Sequence, residues 1–305
     1  MHDVLLATLP ARATLLRSLR ATLDDAGFVE VETPVRIPAP ANEPHIIPPP
    51  SGGAFLRASP ELQMKQLVAL GLHRIYQIGP CFRAGERGDR HNPEFTMLEW
   101  YRGHSDALAI LGDLKKLVCA AAAAVCGSHT ITWQGAAIDL AGAWEKIPVR
   151  DAFRRFAGWD PVDAFDAGRF DLDMALKVEP SLPRDRPCVL VDYPAQAASL
   201  ARLRADDPRV AERWEAYIGG LEICNACGEL VDAAEQRARF EAARAEKQAL
   251  GETAFALDEA FLASLARMPP SGGAALGVDR LAMLLLDAPA IDHVRPFCPP
   301  IGDLW

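Results

Sequence analysis

Residues Cys81 to Tyr101 read CFRAGERGDRHNPEFTMLEWY, two runs of large side chains around a charged, glycine-containing stretch. Ile75 to Phe82 and Phe95 to Tyr101 have the aromatic and aliphatic content of strands, and AGERGDR between them has the composition of a hairpin loop. This hairpin decides the fold class, because strands joined directly to one another build an antiparallel sheet. Alternation along the returning strand puts Phe95, Met97, Glu99 and Tyr101 on one face and Thr96, Leu98 and Trp100 on the other. Leu98 and Trp100 mark the core face. Glu99 then has two open readings: a carboxylate on the floor of a concave site, or one that faces solvent.

Outward from the hairpin, Leu15, Leu16, Leu19 and Leu23 recur at helical spacing over residues 11–26, with Gly27 at the C-terminal cap. Phe28 to Thr33 alternates as a strand, and the prolines from Pro34 to Pro50 make an irregular loop in which His45 is a plain loop residue. Ser59-Pro60-Glu61 reads as a helix start, with Ser as cap, Pro in the first turn and a carboxylate near the positive end. Residues 106–126 and 150–180 are helical in pattern, and 130–140 is a strand or turn. Cys188 to Asp192 is a buried strand, Ala211 to Tyr217 a helix broken by Gly219-Gly220, and Leu221 to Val231 a strand. Asp232 to Leu250 is a solvated helix, and Gly272 to Leu286 a strand followed by a helix. Helices in separate runs rather than strict alternation with strands indicate an α+β fold around an antiparallel sheet. SGGAALGVDR lacks the GxGxxG fingerprint and its strand-turn-helix frame, which argues against a dinucleotide-binding fold.

With 305 residues, half of them apolar, the chain can bury a sizeable core. Forty-one acidic against 32 basic residues give a formal charge of −9, which opposes a general attraction to nucleic acid. No run approaches the roughly 20 apolar residues of a membrane helix. MHDVLLATLPAR shows no secretory signal, so the expected location is the cytoplasm. Seven scattered cysteines fit reduced thiols, and the single CxxC, Cys224 to Cys227, has no second pair to complete a zinc site.

Glu215, Glu222 and Glu229 recur at intervals of seven through EAYIGGLEICNACGE. Gly219-Gly220 argues against one continuous helix, so these carboxylates are expected from a helix end and a strand. Clustered carboxylates on a sheet suit magnesium or an ammonium group, and a solvated surface accounts for them equally. Arg83 and Arg280 are cationic counterparts, able to hold a phosphate bidentately and to stabilise charge developing at phosphorus. Two arginines, several carboxylates and no evident nucleophile suggest ATP-driven activation of an acid.

In chain order, GFVEVETP, CFRAGERGDRHNPEFTMLEWY and GGAALGVDRL resemble motifs 1, 2 and 3 of the class II aminoacyl-tRNA synthetase catalytic domain. SPELQMK, VDYPAQAASLA and GGLEICNACGEL resemble segments of its lysyl branch. The resemblance covers about residues 10–290 and implies one catalytic domain over 1–305, with a largely helical insertion at about 103–187. Motif 1 stands close to the start of the sequence, with no room ahead of it for an anticodon-binding domain. The resemblance therefore narrows to the stand-alone paralogues of the lysyl branch, which attach (R)-β-lysine to a lysine side chain of elongation factor P. Ala275 points the same way, because lysyl-tRNA synthetases usually have Gly at this motif 3 place and the paralogues have Ala. A difference of one methylene is typically worth about 1–3 kcal/mol of discrimination.

By position, the resemblance implies that Ser59, Pro60, Glu61, Glu99, Tyr101, Asn225 and Glu229 bind the amino acid, with Glu229 on its side-chain ammonium. It implies an ATP site of Arg83, Ala84, Gly85, Glu86, Asn92, Phe95, Glu222, Ile223, Gly277 and Arg280, with Arg83 and Arg280 catalytic. Glu215 and Glu222 would hold magnesium on the phosphates. Motif 2 usually reads Arg-x-Glu, whereas this chain has Arg83-Ala84-Gly85-Glu86; either Glu86 reaches in from one residue further on, or backbone groups replace it. The implied partners are ATP, Mg2+, (R)-β-lysine or lysine, and elongation factor P, with no tRNA and no membrane, in a homodimer formed through motif 1. Two alternatives share these motifs: a truncated lysyl-tRNA synthetase-like enzyme with another carrier, and a non-catalytic synthetase-like binding module.

Overall fold

The computed structural model describes residues 2–43 and 46–300, so His45 and the last five residues of the tail lie outside the description. In chain order the elements are α1 (His2–Asp25), β1 (Val29–Glu30), β2 (Arg36–Ile37), β3 (Pro50–Ser51), β4 (Ala54–Leu56), α2 (Glu61–Ala69), β5 (Arg74–Phe82), β6 (Glu94–Gly103) and α3 (Ala107–Cys126). They continue with β7 (Thr130–Trp133), β8 (Ala136–Asp139), β9 (Glu145–Pro148), α4 (Val149–Phe156), α5 (Ala167–Asp173), β10 (Cys188–Pro194), β11 (Val210–Ile218) and β12 (Leu221–Gly228). The last are α6 (Ala233–Ala249), α7 (Glu259–Leu265), β13 (Ser271–Gly277) and α8 (Val278–Leu285).

Eight strands form one sheet in the order β1-β5-β6-β13-β12-β11-β10-β9. The six inner strands pair antiparallel, and only β1 and β9 at the two edges pair in parallel. The architecture is the expected α+β class, a mostly antiparallel sheet flanked by helices. Alternation gives the sheet two unlike faces. One face buries Leu98, Trp100, Trp214, Ala216, Ala274 and Leu276 against Leu15, Leu19 and Leu23 of α1, Ile110, Leu114 and Val118 of α3, and Leu281 and Leu284 of α8. The other face carries the polar side chains and is framed by two smaller apolar clusters. One joins α2, α6 and α7 through Leu62, Val68, Phe240 and Phe261, and the second joins α4, α5 and β10 through Phe153, Phe170 and Tyr193.

Four local expectations change. Ala211 to Tyr217 belongs to β11 and is not helical: Trp214, Ala216 and Ile218 enter the core while Arg213, Glu215 and Tyr217 face the other way. Pairing with β10 and β12 overrides the helix preference of Ala, Glu and Arg in this stretch. Glu215 therefore comes from a strand, and the Gly219-Gly220 turn into β12 has both residues at positive φ, +62° and +76°, as a tight two-residue hairpin turn requires. The first strand shrinks to Val29–Glu30, since the Thr33 amide is taken by the Gln77 side chain at 2.9 Å and Pro34 follows. Helix α1 starts at His2, well before residue 11. Ser59 sits one residue earlier than a standard cap; Pro60 holds the cap position and the Ser59 Oγ accepts from the Glu61 amide at 3.0 Å. The stretch 103–187 contributes α3 to the main core and β9 to the sheet edge, besides the β7–β8 hairpin and the helices α4 and α5.

Candidate active site

Strand register brings together residues that are far apart in sequence. Gln77, Glu99, Ala275, Asn225 and Glu215 are successive partners across β5, β6, β13, β12 and β11, so their side chains form one row on the polar face. The adjoining row holds Tyr101, Gly273, Cys227 and Arg213. These rows floor a cavity of about 880 Å³, which is also walled by α6, the loop after β5 and residues 165–179. Its size falls within the roughly 300–1,000 Å³ of small-molecule sites.

One end of the cavity is acidic. Glu99 is 1% exposed and accepts hydrogen bonds from the Ser59 hydroxyl at 2.6 Å and the Tyr101 hydroxyl at 3.1 Å. Burial and the neighbouring Glu61 push its carboxyl up to about 8, so it is part of a site floor and not a solvent-facing carboxylate. Behind it, the fully buried Lys65 of α2 places its ammonium 2.5 Å from Glu61 Oε1 and 2.5 Å from Glu229 Oε2. Burial opposes the charge on Lys65, and Glu229 and Glu61 outweigh it and hold the ammonium cationic. Burial raises the Glu229 carboxyl while Lys65 pulls it back. Gly273 is bare of necessity, because a Cβ there would run into Glu229 Oε1 and the Tyr101 ring.

The other end is cationic. Arg83 lies over the Phe95 ring, 5.2 Å from its centroid, and 3.8 Å from Glu86 Oε1. Arg280 donates to the Glu222 carboxylate and to its backbone carbonyl, each at 3.0 Å, and its Nη2 sits 2.5 Å from His91 Nε2. Enclosure by protein and the Arg280 charge push the His91 imidazole down to about 4, which leaves it a neutral acceptor. Burial works against the charge on Glu222, and Arg280 outweighs it and keeps that carboxyl below its ordinary range. Glu215 is engaged by Arg213 at 2.7 Å and by the Tyr217 hydroxyl at 2.8 Å, and the same hydroxyl lies 3.3 Å from Glu179.

The cavity is lined by all of the expected site residues except Pro60, Ala84 and Gly85. The Ala84 amide is spent on the Ile47 carbonyl at 2.8 Å, while Gly85 takes a left-handed φ of +80°. That extra glycine turns the loop so that the displaced Glu86 side chain lines the cavity next to Arg83. Glu215 and Glu222 also line it, although among the described residues no three His, Cys, Asp or Glu groups are arranged to hold a metal on their own. Two carboxylates on one wall do suit Mg2+ that arrives with phosphate oxygens and keeps several waters. Cys224 and Cys227 are free thiols on opposite faces of β12, Cys224 in the main core and Cys227 in the cavity, so they form no shared site. Residue patterns did not single out Lys65, His91, Arg213, Glu179 or Gly273. Lys65 and His91 stand inside SPELQMK and RHNPEF, and membership of those segments was their only signal.

An antiparallel sheet with a carboxylate-lined and an arginine-lined end to one cavity defines a class before it defines an enzyme. The chain belongs to that class, the tRNA synthetases class II (D, K and N), whose family pattern matches residues 1–299. Within the family it is 36% identical to the lysine–tRNA ligase of Moorella thermoacetica over 94% of this chain and 64% of that protein. It is equally 36% identical to the elongation factor P–(R)-β-lysine ligase of Sodalis glossinidius, over 96% of this chain and 95% of that protein. The corresponding ligase of Hamiltonella defensa is 34% identical over the same shares. The chain thus spans less than two thirds of the lysine–tRNA ligases it matches. No helix among the described residues is long and apolar enough to cross a membrane.

Proposed function

We propose that this chain is an ATP-dependent ligase that activates (R)-β-lysine as an adenylate and transfers it to a lysine side chain of elongation factor P, in the cytoplasm and as a homodimer. The observation that carries the proposal is the single cavity whose acidic end, Glu61, Glu99 and Glu229, is joined by the Ala275–Asn225 floor to the arginines Arg83 and Arg280. Such a cavity suits a substrate with ammonium groups at one end and a carboxylate that must meet a phosphate at the other.

In this assignment Glu229 and Glu99 take the amino groups, with Tyr101, Ser59 and Asn225 beside them. Arg83 holds the substrate carboxylate against the α-phosphate, stacked on Phe95 so that its guanidinium is already oriented. Asn92, Glu86, Ile223, Gly277 and Arg280 hold the nucleotide. A carboxylate oxygen bonds to the α-phosphorus, the bond to the bridging oxygen breaks, and pyrophosphate leaves; Arg83 and Arg280 stabilise the charge that develops. The acceptor ε-amine then attacks the acyl carbon, loses a proton and displaces AMP. Glu215 and Glu222 are the residues that would hold Mg2+, which when bound offsets triphosphate charge. Ala275 lies between Glu99 and Asn225 in the floor, where one methyl group can bear on the choice between lysine isomers.

The likeness to lysine–tRNA ligases favours a second assignment, the same activation with tRNA as carrier. Mass spectrometry of elongation factor P incubated with the protein, ATP and (R)-β-lysine decides between them. Addition of one β-lysyl group is expected, and charging of tRNA with no change in the factor would refute the proposal.

A further inference from the structure

Lys65 has no role in the assignment above, yet its surroundings are built around it. It stands four residues after Glu61 on α2, so the helix presents both side chains on one face. Glu229 comes from just beyond the end of β12, and its other oxygen, Oε1, lies 3.5 Å from Cys227 Sγ. A lysine with no exposure keeps its charge only where carboxylates are paired with it, and here both contacts are 2.5 Å long. Glu61 and Glu229 line the cavity and Lys65 does not, so the ammonium sits behind the wall and ties a helix to the end of a strand through the two acids.

We infer that Lys65 is a positioning residue: it bridges Glu61 and Glu229, fixes both carboxylates toward the cavity and cancels one of their two charges, so that one substrate ammonium completes the balance. The inference rests on the proposed function, because that ammonium belongs to the amino-acid substrate. Glu61 needs the bridge as much as Glu229 does, since two carboxylates drawn together without a cation repel each other and one of them takes up a proton.

Pyrophosphate exchange with varied lysine or (R)-β-lysine, and with varied ATP, tests this on wild type, Lys65→Met, Glu61→Gln and the double variant. Lys65→Met is expected to raise KM for the amino acid by about tenfold or more while KM for ATP stays within about twofold. The pH profile of the amino-acid KM should also gain a proton. Lys65→Met/Glu61→Gln has no pair of like charges to disturb folding, and its KM is expected to stay about tenfold or more above that of Glu61→Gln, because Glu229 is no longer held. A double variant equal to Glu61→Gln would show that Lys65 merely neutralises Glu61, and would overturn the inference, as would Lys65→Met with wild-type KM and pH profile. Wild type with no lysine-dependent exchange would overturn the functional assignment and this inference with it. An active wild type beside unaffected variants would overturn the inference alone.

Discussion

Among the described residues Glu99 has no ion-pair partner within salt-bridge distance, and it relies on the Ser59 and Tyr101 hydroxyls. With its carboxyl pushed up to about 8, mainly by burial and then by Glu61, it holds its proton at pH 7 in the free protein. A bound ammonium favours the ionised form, so binding expels that proton. Amino-acid affinity should therefore rise with pH, by up to roughly tenfold per unit below about 8, and level off above it. Calorimetric titration of lysine between about pH 6 and 9 checks the sign; an affinity flat across that range would contradict it. Glu99 itself was legible from alternation in TMLEWY, which set it opposite Leu98 and Trp100, but its burial was not. Lys65 had no signal beyond its place in SPELQMK, since a lysine in a helix reads as solvated until the carboxylate from beyond β12 is brought over it.

Strand β6 was readable because its run of large side chains alternates so that Leu98 and Trp100 share one face, and β13 because a glycine-containing apolar run leads into a helix. Strand β11 was not, because the Ala, Glu and Arg residues of VAERWEAYI favour a helix and its alternation acquires meaning only between β10 and β12. The decisive residue is Trp214, 2% exposed, whose indole donates to the Ala107 carbonyl at 2.7 Å and so fastens the sheet to the start of α3. Trp214→Ala should cost about 3–5 kcal/mol in a urea unfolding titration. A loss below about 1 kcal/mol would mean that the strand does not depend on this anchor. The loop after β5 is secured from a distance: Arg87 holds Asp292 with two hydrogen bonds of 2.9 and 2.8 Å and donates to the Pro299 carbonyl at 2.7 Å. Glu94, unexplained by the alternation of its strand, is paired with Arg295 at 2.6 Å.

For the whole molecule, the fold class followed from one hairpin, whereas the shape of the cavity depended on which strands lie side by side, and local sequence carries no record of that. The edge strand β1 leaves Val29 53% exposed beside the end of α1. The proposed homodimer, formed through this segment, should give about twice the 33.1 kDa chain mass by light scattering at micromolar concentration. A monomer mass would exclude it.

Glu99 and Ala275 are neighbours in the sheet, although the chain passes through six other strands between β6 and β13. A polypeptide still leaving the ribosome therefore has Arg83 and Glu99 long before it has the strand that lies against them. Until β13 emerges, β6 has an open edge beside an unfinished floor, a state slow to fold and prone to pair with other chains. Activity should then appear only once β13 has left the ribosome, and the protein should lean on chaperones while that edge stays open.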